Sequence, residues 1–280
     1  MKNKIVKISI VGKTNSGKST LLNQIVGEKI SIQNKKINTT QEVIIGIKNI
    51  KNIQMLFYDT PGSNFLKSLV SESKKLKVNL WNGIDESDLI IYLIDSKFIN
   101  LNFLFDQLNK LQEIKKKIII VFNKIDLISS KKLLPIISKI NSKFKIESFF
   151  TISALKNNGI NELLINLSNY SYPSEWIFSE DDISNKDDLF IINELLRETF
   201  LNYLHKEIPY NIKIETTHYK HLKNNDIKIK QKIFINEKRY KKIILGKKGE
   251  MIKKIREDCQ KKLGQVFQKK VHLYLELFNS

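Results

Sequence analysis

Through the first 170 residues, short apolar runs alternate with stretches in which apolar positions recur every three or four residues. The runs at 4–11, 44–48, 53–58, 89–94, 117–122 and 148–152 have the length and β-branched content of strands, several of them apolar on both faces. A helix starts near residue 18, and 101–112, 131–141 and 161–168 carry helical periodicity. Strands of buried type separated by helices predict a mostly parallel α/β sheet with both faces covered. The pattern then changes. A helix at 188–206, strands at 210–217 and 227–235, helices at 238–245 and 250–263 and a strand at 270–277 predict a second, α+β module.

Charge divides the chain at the same place. Residues 1–170 hold 26 basic and 13 acidic side chains, 171–204 hold 2 and 8, and 205–280 hold 20 and 8. Domains at 1–170 and 188–280, joined by an acidic linker at 171–187, are the expected organisation. The net charge of +19 asks for a polyanionic partner, nucleic acid or an anionic membrane surface, although Lys-rich composition throughout accounts for part of it. With 41% hydrophobic residues the chain can build real cores. Its single cysteine, Cys259, excludes a disulfide framework, and its four histidines form no metal-binding spacing. No apolar run approaches the roughly 20 residues of a membrane span, and no targeting segment precedes the first strand, so a cytoplasmic protein is expected.

Gly12-Lys13-Thr14-Asn15-Ser16-Gly17-Lys18-Ser19 fits G-x-x-x-x-G-K-[ST] between a strand and a helix, with Thr20 following. Such a loop turns its backbone N–H groups onto a β-phosphate, aided by the helix N-terminus. Lys18 bridges β- and γ-phosphate oxygens, and Ser19 offers a hydroxyl to Mg²⁺. This loop alone does not choose between ATP and GTP. Asp59-Thr60-Pro61-Gly62 closes a strand and can place a carboxylate near Mg²⁺ and the Gly62 N–H near the γ-phosphate. Thr39-Thr40 lies in the preceding loop, where the Thr40 hydroxyl can complete the metal shell.

Asn123-Lys124-Ile125-Asp126 chooses the base. Asp126 can accept from guanine N1–H and the N2 amine, which adenine does not present in that arrangement. Asn123 can bond the other guanine edge and tie back to the phosphate loop, and the stem of Lys124 can lie over the base. Ser153-Ala154-Leu155 follows the next strand, with the Ala154 N–H directed to guanine O6. All four motifs fall at C-terminal strand ends, where ligands of open α/β sheets bind.

These motifs resemble those of the Ras-like translation-factor class of GTPases, and most closely the Era family: a P-loop GTPase domain followed by a type II KH domain. The resemblance spans nearly the whole chain and includes Glu207-Ile208-Pro209-Tyr210 ahead of a strand. Gly246-Lys247-Lys248-Gly249 between two helices, with Lys253 beyond, fits the KH loop that clamps a single-stranded backbone. Lys253, Lys254, Lys261 and Lys262 read equally well as a solvated helix face.

The resemblance implies GTP hydrolysis to GDP with Mg²⁺ held by Ser19, Thr40 and Asp59. It implies binding to the 3′ end of 16S rRNA during assembly of the 30S subunit, partial association with the inner membrane, and movement of the KH domain with nucleotide state. Lys18, Asn15 and Thr40 are the catalytic candidates. Asn15 matches GTPases in which K⁺ replaces an arginine finger, or is a plain loop residue. Ser63 stands where a water-orienting Gln or an apolar residue is usual, which leaves the water-positioning residue unassigned. Two competitors are a P-loop kinase or ATPase, which Asn123 and Asp126 oppose, and a membrane-surface GTPase whose basic charge binds lipid.

Overall fold

The computed structural model describes residues 2–27, 44–59, 84–204 and 212–279. They form two compact units, residues 1–185 and 186–280. In the first unit, strands β1 (Lys4–Gly12), β2 (Ile44–Ile50), β3 (Ile53–Asp59), β4 (Leu89–Asp95), β5 (Lys117–Asn123) and β6 (Ser148–Thr151) form one sheet in the order β2-β3-β1-β4-β5-β6. β3, β1, β4, β5 and β6 run parallel, while β2 pairs antiparallel with β3 through the turn at Lys51 and Asn52. The strands that read as apolar on both faces are buried on both: every residue of β4 from Leu89 to Ile94 is buried. β6 departs from its buried reading. It is the sheet's edge, and its residues are half-buried or exposed.

Helices α1 (Lys18–Val26), α2 (Leu101–Glu113), α3 (Leu134–Asn141) and α4 (Ile160–Ser168) cover the sheet. Leu104, Leu108 and Leu111 of α2 and Ile140 of α3 pack on Ile90, Tyr92, Ile118, Ile120 and Phe122. α2 starts where the Asn100 side chain accepts from the Phe103 N–H. The helix expected from 131 begins at Leu134, after a short 3₁₀ turn, because Pro135 has no N–H and suits only a first helical turn.

Most of the expected acidic linker belongs to this sheet. β7 (Tyr172–Pro173) pairs with β1, and the chain then runs along the outer edge of β2. The Ile47 N–H donates to Ile183 O, the Asn185 N–H to Ile45 O, and the Ile45 N–H to Asn185 Oδ1. Gln54, fully buried in β3, holds the strap from beneath. Its Oε1 accepts the N–H groups of Ile177 and Phe178, and its Nε2 donates to Phe178 O. Interdomain charge was legible in 171–185, but the backbone demand of an open sheet edge was not.

The second unit has the order α5 (Asp188–Tyr203), β8 (Ile212–His221), β9 (Ile227–Ile235), α6 (Lys238–Leu245), α7 (Glu250–Phe267), β10 (Val271–Asn279). β9 is central, antiparallel to β8 and parallel to β10, which is the type II KH arrangement. β8 runs past its expected end because a bulge between Thr216 and His218 breaks the apolar alternation without ending the pairing. Ile227, Ile229 and Ile233 of β9 are buried, as are Leu195 and Leu196 of α5 and Ile255, Cys259 and Leu263 of α7. A polar knot lies among them: Thr216 donates to Asn193 Oδ1, and the buried Gln231 donates to both.

Gln54→Ala should cost the first unit about 2 kcal/mol, since it removes three part-buried hydrogen bonds to the strap and the buried amide that makes them. Urea unfolding measures the loss, and limited proteolysis should cut within 174–185 sooner than in the wild type.

Candidate functional site

Gly12, Asp59, Asp95 and Asn123 are the last residues of β1, β3, β4 and β5. The parallel register therefore brings the phosphate-loop, metal and base motifs to one edge of the sheet. The loop from Gly12 to Gly17 leads straight into α1, and the Ser16 N–H donates to Lys13 O to close its turn. Lys18 is buried, and its ammonium donates to Gly12 O at 2.9 Å and Lys13 O at 3.2 Å, across the mouth of the loop. Burial pushes its pKa down to about 8, and Asp59 opposes the shift. Asp59 is fully buried, and the Ser19 hydroxyl donates to its Oδ2 at 2.9 Å. A hydroxyl and a carboxylate in contact at a helix start are hard oxygen donors of the kind Mg²⁺ takes. Thr39, Thr40, Thr60, Pro61, Gly62 and Ser63 lie outside the described residues.

The base end is cross-braced. Asn123 Nδ2 donates to Ser16 O at 2.8 Å, which locks the base motif to the phosphate loop as its sequence suggested. This contact explains Gly17: its φ is +100°, and a Cβ there would lie 2.3 Å from Asn123 Nδ2. The other end of the Asn123 amide reaches a third loop. Its Oδ1 accepts the Ala154 N–H at 2.9 Å, which ties the Ser153–Leu155 loop to the base motif. Ser153 donates to Asp126 Oδ1 at 2.6 Å and holds the Asp126 carboxyl below its ordinary range. Leu155 is largely exposed beyond it.

Asp95 is the residue that sequence reading missed. The Lys124 ammonium donates to Asp95 Oδ2 and to Asn15 O, both at 2.6 Å. Lys124 has a φ of 65°, and Asn15 one of 67°. The pair thus fixes the two left-handed residues of adjacent loops to one carboxylate. Its signal was present as a lone carboxylate directly after a buried strand, at the same edge as the motifs. Lys13, Asn15, Asp95 and Lys124 also line a cavity of about 460 Å³ whose far wall is Phe98, Ile99, Phe103 and Leu104.

In the second unit, Gly246 ends α6, a 3₁₀ turn spans Lys247–Gly249, and α7 begins at Glu250. Gly246 has a φ of +69°, and a Cβ there would meet Met251 Cβ at 2.7 Å. The loop presents exposed Lys247 and Lys248 beside the N-terminus of α7, with exposed Lys253 one turn on. Lys254 and Lys261 are also exposed, whereas Lys262 is tied to Asp258 at 3.0 Å and is structural. Glu207, Ile208, Pro209 and Tyr210 lie outside the described residues. Among those described, no helix is long and apolar enough to cross a membrane, and no cluster of three His, Cys, Asp or Glu side chains could hold a metal.

Comparison with known proteins agrees with both halves. Residues 7–124 match the 50S ribosome-binding GTPase family, and residues 207–278 match the KH domain. GTPase Era of Rickettsia prowazekii (strain Madrid E) is 37% identical over 272 residues, 97% of this chain and 91% of that protein. GTPase Era of Agrobacterium fabrum (strain C58) is 34% identical, over 96% of this chain and 84% of that protein. A crystal structure of Era with MgGDPNP and nucleotides 1506–1542 of 16S ribosomal RNA superposes with a TM-score of 0.84 at 31% identity, covering 99% of this chain and 94% of that one. A variant of Aquifex aeolicus Era bound to GDP and AlF₄⁻ gives the same score and identity, covering 100% and 94%.

Above pH 8 the Lys18 ammonium increasingly loses its proton, and a bound polyphosphate should restore it. GTP or GDP binding at about pH 9 should therefore take up close to one proton, and at about pH 6.5 none. Affinity should fall by up to about tenfold per pH unit above 8. Calorimetry in two buffers of different ionisation enthalpy measures the uptake.

Proposed function

This chain belongs to the Era family of GTPases, and we propose on that premise that it couples GTP hydrolysis to binding the single-stranded 3′ end of 16S rRNA as the 30S subunit is assembled. The observation that carries the RNA reading is the lysine-bearing Gly-x-x-Gly turn between α6 and α7, set in a type II KH unit. Its glycines let the backbone of a nucleic-acid strand approach, and Lys247, Lys248 and Lys253 meet its phosphates. The solved Era with nucleotides 1506–1542 of 16S rRNA supports the identity of the strand.

The residue roles in hydrolysis follow from the cross-braced edge. The loop N–H groups from Lys13 to Ser19, with Thr20 behind them, cradle the β-phosphate. Lys18 leaves its loop carbonyls for the β- and γ-oxygens. Ser19 and Asp59, with Thr40, hold Mg²⁺, which neutralises charge on the β- and γ-phosphates. Asp126, fixed by Ser153, reads the guanine N1–H and N2 amine, and Lys124, fixed by Asp95, covers the base. Thr60, Pro61 and Gly62 approach the γ-phosphate, where water attacks in line. Asn15 would supply a ligand to a K⁺ ion, which would add positive charge beside the phosphates. The protein acts in the cytoplasm. The clustering of exposed lysines on one clamp loop favours RNA over lipid as the main polyanion, with the inner membrane surface as a lesser site.

Lys247→Asp combined with Lys248→Asp should abolish binding to a single-stranded RNA of about 6 nucleotides, little longer than the loop's own reach of about four, and leave GTP affinity unchanged. Filter binding or fluorescence anisotropy decides it, and unchanged RNA affinity would remove the RNA role from the loop.

GTP turnover should be several-fold faster in K⁺ than in Na⁺ at equal ionic strength, and Asn15→Ala should erase the difference. Equal rates in the two salts would make Asn15 a loop residue only.

A further inference from the structure

The sheet of the second unit has one face on its helices and one in solvent. β9 alternates strictly, with Ile227, Ile229, Gln231, Ile233 and Ile235 buried and the residues between them more open. An antiparallel or mixed sheet with one wet face is expected to be polar on that face. Here it is not merely polar. Phe234 of β9 and Tyr274 and Phe278 of β10 stand on it, with Tyr274 49% and Phe278 37% exposed. Neither ring is needed to fill the core beneath.

Lysines are interleaved with these rings. Lys228 lies 5.7 Å from the centroid of Tyr274, Lys232 lies 5.1 Å from Phe278, and Lys213 lies 5.9 Å from Phe234. Phe234 and Phe278 sit with centroids 5.7 Å apart and planes tilted by 30°, which makes a two-ring platform. Lys220 and Lys230 extend the positive charge along the same face, against Glu215 and Glu276 and, at its margin, Asp226, which is bound to His272 at 2.7 Å. Glu215 is paired with Lys213. Flat aromatic surface for base stacking beside lysines for phosphates is the composition of a platform for single-stranded nucleic acid.

We propose that this outer face is a second binding surface for single-stranded RNA, separate from the Gly-x-x-Gly loop. The loop joins α6 and α7, which pack on the other face of the sheet, so a strand held by the loop does not reach the platform without passing an edge. A short RNA fills the loop alone, and a longer one engages both. The proposal rests on the RNA-binding reading given above and extends it to more nucleotides.

The test uses the full chain and two unstructured oligonucleotides, one of about 6 nucleotides and one of about 20, the loop clamp itself taking about four. Tyr274→Ala should weaken the 20-mer by about tenfold, a typical loss for one base stack, and leave the 6-mer unchanged. Lys228→Gln with Lys232→Gln should lower the slope of log K against log salt for the 20-mer by about 1.4, two single-strand contacts, and leave the 6-mer slope alone. Lys228→Arg with Lys232→Arg should retain the wild-type slope. In the wild type, a 20-mer carrying 5-bromouridine should photocrosslink to Tyr274 or Phe278. Unchanged 20-mer affinity and slope in the face variants, or crosslinks confined to residues 246–253, would overturn the proposal. So would loss of binding to phosphatidylglycerol vesicles with RNA binding intact. If Lys247→Asp with Lys248→Asp changes neither oligonucleotide, the loop reading fails on its own, and the platform is still judged by its own variants.

Discussion

The side-chain amide of Asn123 is the interaction on which the nucleotide edge depends. Its nitrogen is bound to Ser16 O and its oxygen to the Ala154 N–H, so one planar group joins three loops that are far apart in sequence. A buried amide with both ends satisfied by backbone has one orientation available to it, and the loops inherit that rigidity. Gly17 is small because this amide passes over it. The neighbouring contacts extend the same brace: Lys124 joins Asn15 to Asp95, and Ser153 aligns Asp126. The edge is therefore held by side chains that cross from one loop or strand end to the next rather than by each loop's own conformational preference. Ordered loops at strand ends are what allow weak individual contacts to a phosphate and a base to act together.

The second unit solves a different problem with the same economy. Its small sheet needs a dry face for α5 and α7 and a central strand that stays in register. The knot of Asn193, Thr216 and Gln231 ties α5 to β8 and β9 next to the β8 bulge, where a purely apolar pairing could slip. Lys262, bound to Asp258 and near Glu198, couples α7 to α5. With the frame fixed on that side, the Gly-x-x-Gly turn and the outer sheet face are released from structural duty. Their lysines and aromatics remain at the surface.

What was legible in the sequence is what is contiguous. The phosphate loop and the Asn123–Asp126 motif each carry their chemistry within a few residues, and strand burial follows directly from unbroken apolar runs such as 89–94. What was not legible joins distant residues. Asp95 and Lys124 are 29 positions apart, and nothing local marks Asp95 as a partner. Gln54 is a lone polar residue in an apolar strand, and its partners at 177 and 178 are more than a hundred residues away. The bond from the Ala154 N–H to Asn123 Oδ1 likewise spans 31 positions and has no local mark. The acidic run at 171–187 read as a spacer because charge signals solvent, whereas its backbone, which carries no sequence signature, is what pairs with β2.

The strap also sets an order of events during synthesis. β2 is an edge strand whose outer hydrogen-bonding groups at Ile45 and Ile47 are met by residues 183 and 185. Until those residues have left the ribosome, a sheet complete in every other respect carries an unguarded apolar edge, a template for another nascent chain. The acidic side chains at 180–182 then arrive with the backbone that seals it. A fragment ended at residue 170 would lack the seal permanently, and the smallest independently soluble form of the first unit is expected to end at residue 185.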